Sequence, residues 1–255
     1  MNPAMRQAKI IELAHQQGEV LVDALSALFG VTPQTIRKDL NALCARGALR
    51  RSHGGAMHPS RIENVEYEAR RQIATAEKHA IGQAAAALIP DNASLFINIG
   101  TTTEAVSQAL VNHRGLMVIT NNINVANHLR AVPAIEVVIA GGMVRPSDGG
   151  IVGEAAVDFI RQFKVDFAVI GVSAIDQDGA LLDFDYREVK VAQAIIANAR
   201  HVILVSDATK FTRTAPVRIG HIEQTHSFIT DHCPLASIRQ LCAEAGVRLV
   251  ETSAA

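Results

Sequence analysis

The chain has 255 residues, 49% apolar and 19% charged, with a net charge of −1. That composition fits a globular protein of one or two domains with a sizeable core and excludes an intrinsically disordered chain. No run approaches the ~18–20 unbroken apolar residues of a membrane span. Residues 6–17 read as a helix with Ile10, Ile11, Leu13 and Ala14 on one side, stopped by Gly18. An apolar stretch follows from Val20 to Phe29. After Gly30-Val31, Thr32 stands as an N-cap and Pro33 as the first residue of a third helix, which runs to about Cys44. Ala48 to Arg51 then reads as a short strand, and His53-Gly54-Gly55-Ala56 as a turn into a return strand. Three helices followed by a hairpin form a winged helix-turn-helix pattern over residues 1–57. Residues 58–74 are polar and charged and read as a linker, partly helical.

From residue 75 to the end, helices alternate with apolar strands. Strands are expected at 94–99, 116–120, 135–140, 165–171 and 201–206, with a last strand–helix–strand set over 227–250. Such alternation predicts an α/β domain, Rossmann-like, with a mostly parallel sheet covered by helices on both faces. The opening residues lead into a polar helix rather than a secretory signal. Cys44, Cys233 and Cys242 are too few and too scattered for a disulfide framework or a zinc cluster, which points to reduced thiols in the cytoplasm.

Charge is placed unevenly: residues 1–60 hold seven Lys/Arg against four Asp/Glu, and the other 195 hold 17 against 21. A small basic module on a mildly acidic body fits a nucleic-acid partner for the first domain. In the third helix Ile36, Leu40 and Leu43 form a stripe that packs inward. Gln34, Thr35, Arg37, Lys38 and Asn41 are left facing outward, at the end of the helix that enters the major groove in this motif. Thr32 and Thr35 hydroxyls suit phosphate, and Arg50, Arg51 and His53 belong to the wing. Double-stranded operator DNA is the expected partner.

In an open parallel sheet ligands sit outside the carboxyl ends of the strands. There the chain carries Gly100-Thr101-Thr102-Thr103, where hydroxyls and a helix N-terminus suit a phosphate. Thr120-Asn121-Asn122 is a second such loop. Gly141-Gly142 and Gly149-Gly150 through Glu154 add glycines, and Asp207 with Lys210 places a cation at the same rim. Together they favour a phosphorylated polyol or sugar. No nucleophile–base pair stands out, and the ten His show no HxH or HExxH spacing, so no catalytic residue, metal site or cofactor is expected.

The segments VTPQTIRKDLNAL (31–43), RRSHGGA (50–56), LFINIGTTTEAV (95–106), VITNNINVANHL (118–129), IAGGMVRPSDGGIVGEA (139–155), LLDFDYREV (181–189) and VSDATKF (205–211) run in order along nearly the whole chain. In them the chain resembles the DeoR family of bacterial transcriptional regulators. The resemblance implies a DNA-binding domain followed by an effector domain (75–255) similar to phosphosugar isomerases. It also implies a homo-oligomeric repressor, a dimer or tetramer, released from its operator by a phosphorylated metabolite, here glycerol-3-phosphate. By that likeness Gly100 to Thr103 hold the phosphate, Asn121, Asn122, Gly142 and Gly150 line the pocket, and Glu188, Asp207 and Lys210 are polar site residues. Glu154 stands where many members have proline and matches the glycerol-3-phosphate type. Where many relatives carry a Lys-Arg pair after Glu188, this chain has Ala192-Gln193. Alternatives are a sensor of another sugar phosphate and a phosphosugar isomerase with Asp183 or Glu188 as base. A nucleotide-binding protein ranks last, because Gly-Thr-Thr-Thr stands where GxGxxG would be needed.

Overall fold

The computed structural model describes residues 2–17, 19–52, 54–57 and 67–252; Gly18, His53 and residues 58–66 of the expected linker lie outside the described residues. The chain divides into two compact units, Met1–Ile73 and Ala74–Ala255.

The first unit runs α1 (Pro3–Gln17), β1 (Glu19–Leu21), α2 (Val22–Phe29), α3 (Pro33–Ala45), β2 (Arg50–Ser52), β3 (Gly55–Met57) and α4 (Tyr67–Gln72). The apolar stretch from Val20 therefore divides, its first residues forming a strand. The three strands pair antiparallel in the order β1-β3-β2, which completes the wing. Gly55 is needed where β3 crosses β1, since a Cβ there would lie 2.1 Å from the Val20 carbonyl oxygen. Gly30 ends α2 in the left-handed conformation, with φ of 61°. Thr32 then caps α3, its hydroxyl accepting from the Thr35 N–H, and Pro33 opens the helix.

Ile36, Leu40 and Leu43 of α3 are buried against Ile10, Ala14, Val22 and Leu25. Asp39 shares that stripe. It is buried, accepting from Arg6 Nε at 2.6 Å and from Gln7 Nε2 at 2.9 Å, so one carboxylate pins α3 to α1.

The second unit runs α5 (Thr75–Ala86), β4 (Ser94–Ile97), α6 (Thr101–Ala109), β5 (Leu116–Thr120), α7 (Ile123–Leu129), β6 (Ile135–Ile139), β7 (Met143–Val144), β8 (Ile151–Val152), α8 (Glu154–Ile160) and β9 (Val165–Ile170). It continues β10 (Ala174–Ile175), β11 (Ala180–Asp183), α9 (Tyr186–Ala197), β12 (Ala199–Val205), β13 (Val217–His221), β14 (Ser227–Thr230), α10 (Ala236–Glu244) and β15 (Arg248–Glu251). Seven strands form one sheet in the order β15-β14-β12-β9-β4-β5-β6, with every pairing parallel.

Successive strand residues point to opposite faces, and both faces are buried. Leu95, Ile97, Val118, Val169, Ile203 and Ile229 face α5, α6 and α7. Phe96, Ile119, Ala168, Ile170, Leu204 and Phe228 face α8, α9 and α10. The β7–β8 hairpin and a small antiparallel sheet, β10-β11-β13, are additions that strands of two to five residues give too little periodicity to announce.

The strand order fixes where a ligand can sit. From β4 the chain steps outward to β5 and β6, then returns to β9 on the other side of β4 and steps away through β12, β14 and β15. The reversal lies between β4 and β9, and the crevice of such a sheet opens there, beyond the carboxyl ends.

Removing the Asp39 carboxylate leaves a buried Arg6 without its partner. Asp39→Ala is expected to destabilise the first unit by roughly 3–5 kcal/mol. Denaturant unfolding followed by helix content would show this as a lower midpoint; an unchanged midpoint would remove the pair from the account.

Candidate functional site

On the first unit, Gln34, Arg37, Lys38 and Asn41 are exposed on α3, and Thr35 is half-buried beside the cap. The Thr32 and Thr35 hydroxyl oxygens lie 3.0 Å apart at the helix start. Arg51, expected on the wing, donates from Nη2 to the side-chain oxygen of Asn41 and, at 3.4 Å, to the Arg37 carbonyl. The wing and the outward face of α3 are thus brought together into one basic surface. Arg50 lies in β2, and His53 is outside the described residues.

On the second unit, β4 leads through Asn98 and Ile99 into Gly100, which precedes α6 with φ of 147° and ψ of 149°. Thr102 and Thr103 are buried and Thr101 is half-buried. The Thr103 hydroxyl donates within the loop, to the carbonyls of Asn98 at 2.7 Å or Gly100 at 2.8 Å. It shapes the turn, and the N–H groups of the first turn of α6 remain the donors suited to an anion.

Asn121 and Asn122 are also buried. Asn122 caps α7, and its amide donates to Glu104 Oε1 at 3.1 Å. Asn121 donates to the Ile151 carbonyl at 3.0 Å and receives the Ile151 N–H at 2.7 Å through its own backbone oxygen. Both asparagines stitch the loop after β5 to the segment around β8. The Asn121 side-chain oxygen is buried with no hydrogen-bond partner among the described residues.

Arg145, which nothing in the sequence pattern singled out, organises the far side. Its guanidinium holds Asp148 bidentately, from Nε at 2.9 Å and Nη2 at 2.6 Å. It also donates to Asp185 at 3.2 Å and to Glu188 at 2.5 Å. Asp185 is the N-cap of α9, and Glu188 lies in that helix's first turn. Asp183, at the end of β11, accepts from the Ser173 hydroxyl at 3.0 Å.

These contacts run as a ring around the rim, joined between Glu188 and Asp183 by electrostatic proximity and not by a hydrogen bond. Gly150 packs on Ile99, where a Cβ would come within 2.5 Å, and its N–H donates to Asp148 at 3.2 Å. Asp148 leads to Arg145 and Glu188, and Ser173 links Asp183 back to the loop after β9. There Gly171 packs on Thr103, with 3.4 Å from an ideal Cβ to Cγ2. The ring spans the carboxyl ends of β4 and β9, at the strand-order reversal.

Four further expected site residues stand outside this ring. Asp207 and Lys210 follow β12 and are buried. Burial works to raise the Asp207 carboxyl, but Lys210, the Thr209 hydroxyl and Lys78 hold it below the ordinary carboxylate range. Lys78, from α5, is a buried cation the sequence pattern did not single out. Glu154 opens α8 with its side chain exposed, and Gly142 is exposed beside Ile151. At the departure from the family pattern, Ala192 is buried in the core and the Gln193 amide donates to the Ile219 carbonyl of β13 at 3.0 Å.

Burial, with the Asp183 carboxylate nearby, pushes the Glu188 carboxyl from 4.5 up to about 8, although Arg145 pulls it down. Asp185 is held at about 2, chiefly by its hydrogen bond from Arg187. A carboxyl raised on folding stabilises most below its unfolded value and loses that contribution as pH rises toward its folded value. Asp185 has the opposite sign and acts only below its ordinary 3.8. Between pH 5 and about 8 Glu188 therefore lowers the thermal midpoint as pH rises, against the opposite contribution of His201, which burial holds below its ordinary range, and Glu188→Gln should make the profile less falling or more rising. A pH profile unchanged by the substitution would exclude Glu188 as a contributor to it.

Residues 6–61 match the DeoR-like helix-turn-helix domain and residues 73–232 the DeoR C-terminal sensor domain. The chain is 46% identical over 249 residues to the glycerol-3-phosphate regulon repressor of Escherichia coli (strain K12), covering 98% of this chain and 99% of that protein. With the repressor of the same name from Haemophilus influenzae the identity is 48% over 241 residues, covering 94% of each. The HTH-type transcriptional repressor CsqR of E. coli is 38% identical over 245 residues, covering 96% of this chain and 94% of that one. Ribose 5-phosphate isomerase A from Neisseria gonorrhoeae overlaps 53% of each chain at 10% identity and a TM-score of 0.39, too slight a likeness to support an isomerase reading. The chain belongs to the DeoR family and is a DNA-binding transcriptional regulator, not an enzyme.

Proposed function

We propose that the protein represses a glycerol-3-phosphate regulon in the cytoplasm and leaves its operator when glycerol-3-phosphate binds the second unit. The observation that carries this reading is the full-length identity to two repressors of that name, across both the DNA-binding and the sensor domain. The rim ring supports it chemically. The Gly100–Thr103 loop offers backbone donors to a phosphate, and Lys210 with Asp207 places a cation on the same sheet edge. Glu188 supplies an oxygen for a hydroxyl. Asn121, Asn122, Gly142 and Gly150 shape the loops around it, and Glu154 stands at the start of α8. In this reading residues 1–57 bind DNA, 58–74 link and 75–255 sense the effector, a scheme that the division into compact units at Ile73 and Ala74 supports.

On DNA, Gln34, Arg37, Lys38 and Asn41 read the major groove, while Thr32, Thr35, Arg50, Arg51 and His53 hold the backbone. Two such units in a homo-oligomer match two half-sites. The effector lowers operator affinity by binding the DNA-incompetent state more tightly, and operator weakens the effector by the same factor.

Fluorescence anisotropy on an operator duplex tests both halves of this reading. Glycerol-3-phosphate should lower affinity by roughly 5- to 150-fold, the range of a coupling of ~1–3 kcal/mol. Glycerol and inorganic phosphate should leave affinity unchanged. With ~3–5 phosphate contacts per half-site, the log–log salt slope of a dimer should lie at about −5 to −9, and Arg37→Ala with Lys38→Ala should weaken binding and flatten it. Operator occupancy indifferent to saturating glycerol-3-phosphate would overturn the effector assignment. A salt slope near zero would overturn the DNA face.

A further inference from the structure

We infer that Arg145 is a positioning residue of the effector site: it sets the Glu188 carboxyl against the hydroxyl-bearing end of a phosphorylated polyol, so that the site prefers an organic phosphate to inorganic phosphate. The inference rests on the effector reading above and adds to it the residue that decides selectivity.

Four observations lead to it. Arg145 is held by both oxygens of Asp148, a residue in its own loop, so its guanidinium is fixed before it reaches α9. From that seat Nη2 takes Glu188 Oε2 and Nη1 takes Asp185, the cap of the same helix. Among the described residues Glu188 Oε1 accepts no hydrogen bond, while 7% of the residue's surface stays open. One carboxylate oxygen is thus anchored and the other is left to a ligand. Lastly, Asp148 is joined through Gly150 to Ile99, immediately before the Gly100 loop proposed for the phosphate. Arg145 therefore ties the two ends of the site into one rigid distance.

The surroundings decide what Oε1 can meet. Asp183, Asp185 and Asp148 lie around the guanidinium and Glu188, and Arg187 is taken up by Asp185 at 2.8 Å. A region with carboxyl groups on three sides repels a second phosphate and accepts hydroxyl groups, which can donate to a carboxyl oxygen or accept from a protonated one. A polyol carrying one phosphate fits, with its anion at the Gly100 loop and a hydroxyl at Glu188. A bare phosphate reaches only the first of these.

Alanine at 145 would strip three carboxylates of their counter-charge and confuse binding with folding. Arg145→Lys keeps the positive charge but gives up the planar fork that holds several carboxylate oxygens at once. Asp148→Asn weakens the seat of the guanidinium without touching Glu188. Calorimetric titration of the full chain and both variants with glycerol-3-phosphate and with inorganic phosphate, alongside thermal melting, separates the outcomes. Both variants should lose affinity for glycerol-3-phosphate by about fivefold or more, the worth of one hydrogen bond. Affinity for inorganic phosphate should move by about twofold or less, because a hydrogen bond it never makes cannot be lost. If the two affinities fall together, or the preference survives in both variants, Arg145 does not position the site. If the unaltered chain itself shows no preference for glycerol-3-phosphate over inorganic phosphate, the effector assignment falls instead, and this inference with it.

Discussion

A parallel sheet buried on both faces has no room for polar chemistry except at its ends. Phe96 and Ile97, adjacent on β4, point into two different cores, and the same holds for Ile119 beside Val118 and Leu204 beside Ile203. Most residues of the inner strands are spent on packing until the strand stops; polar exceptions such as Ser94, Asp166 and Arg200 pair with one another near the opposite, amino ends. The polar residues then arrive together: Asn98 after β4, Asn121 after β5, Ser206 and Asp207 after β12. The proposed site lies where the hydrophobic runs of the inner strands end on one side, and the reversal of strand order beside β4 opens that side.

This explains why the outline was legible in the sequence. Strands 116–120 and 135–140 could be read because apolar residues dominate them, with Thr120 and Glu136 the polar exceptions, and the rim loops because Gly, Thr and Asn interrupt those runs. The cap of α3 was legible because Thr32 and Pro33 act locally. Arg145 was not, because what defines it is distance: Asp185 and Glu188 come from 40 and 43 residues away, and an arginine in a glycine-rich loop reads as surface. Asp39 was hidden differently. It lies three residues after Ile36 and so on the inward stripe, yet a charge there looks like an outward residue until Arg6 is seen opposite it. Strand β1 was hidden because three residues carry no period, and its partner lies 36 residues further along.

The asparagines show how a loop can be a binding element without being a ligand. Asn122 spends its side chain on capping α7 and on Glu104, and Asn121 spends its amide on Ile151. Both hold the backbone of the rim in place, which is what a site built from main-chain N–H groups requires. Their residue type was the visible signal, and turn chemistry was its direct meaning.

The ionic cluster behind the rim is harder to account for by stability. Burying Arg145 with Asp148, Asp185 and Glu188 costs desolvation of several ionic and polar groups, and well-packed apolar residues of similar volume often serve a fold as well or better. Arg187 shares Asp185 with Arg145, and burial, with Asp183 nearby, leaves Glu188 holding its proton to about pH 8. A core would gain nothing from such a group. A recognition site gains a carboxyl that can act as a hydrogen-bond donor or acceptor, set at one fixed place by the arginine beside it. The cost of the cluster is therefore best explained by what it can recognise.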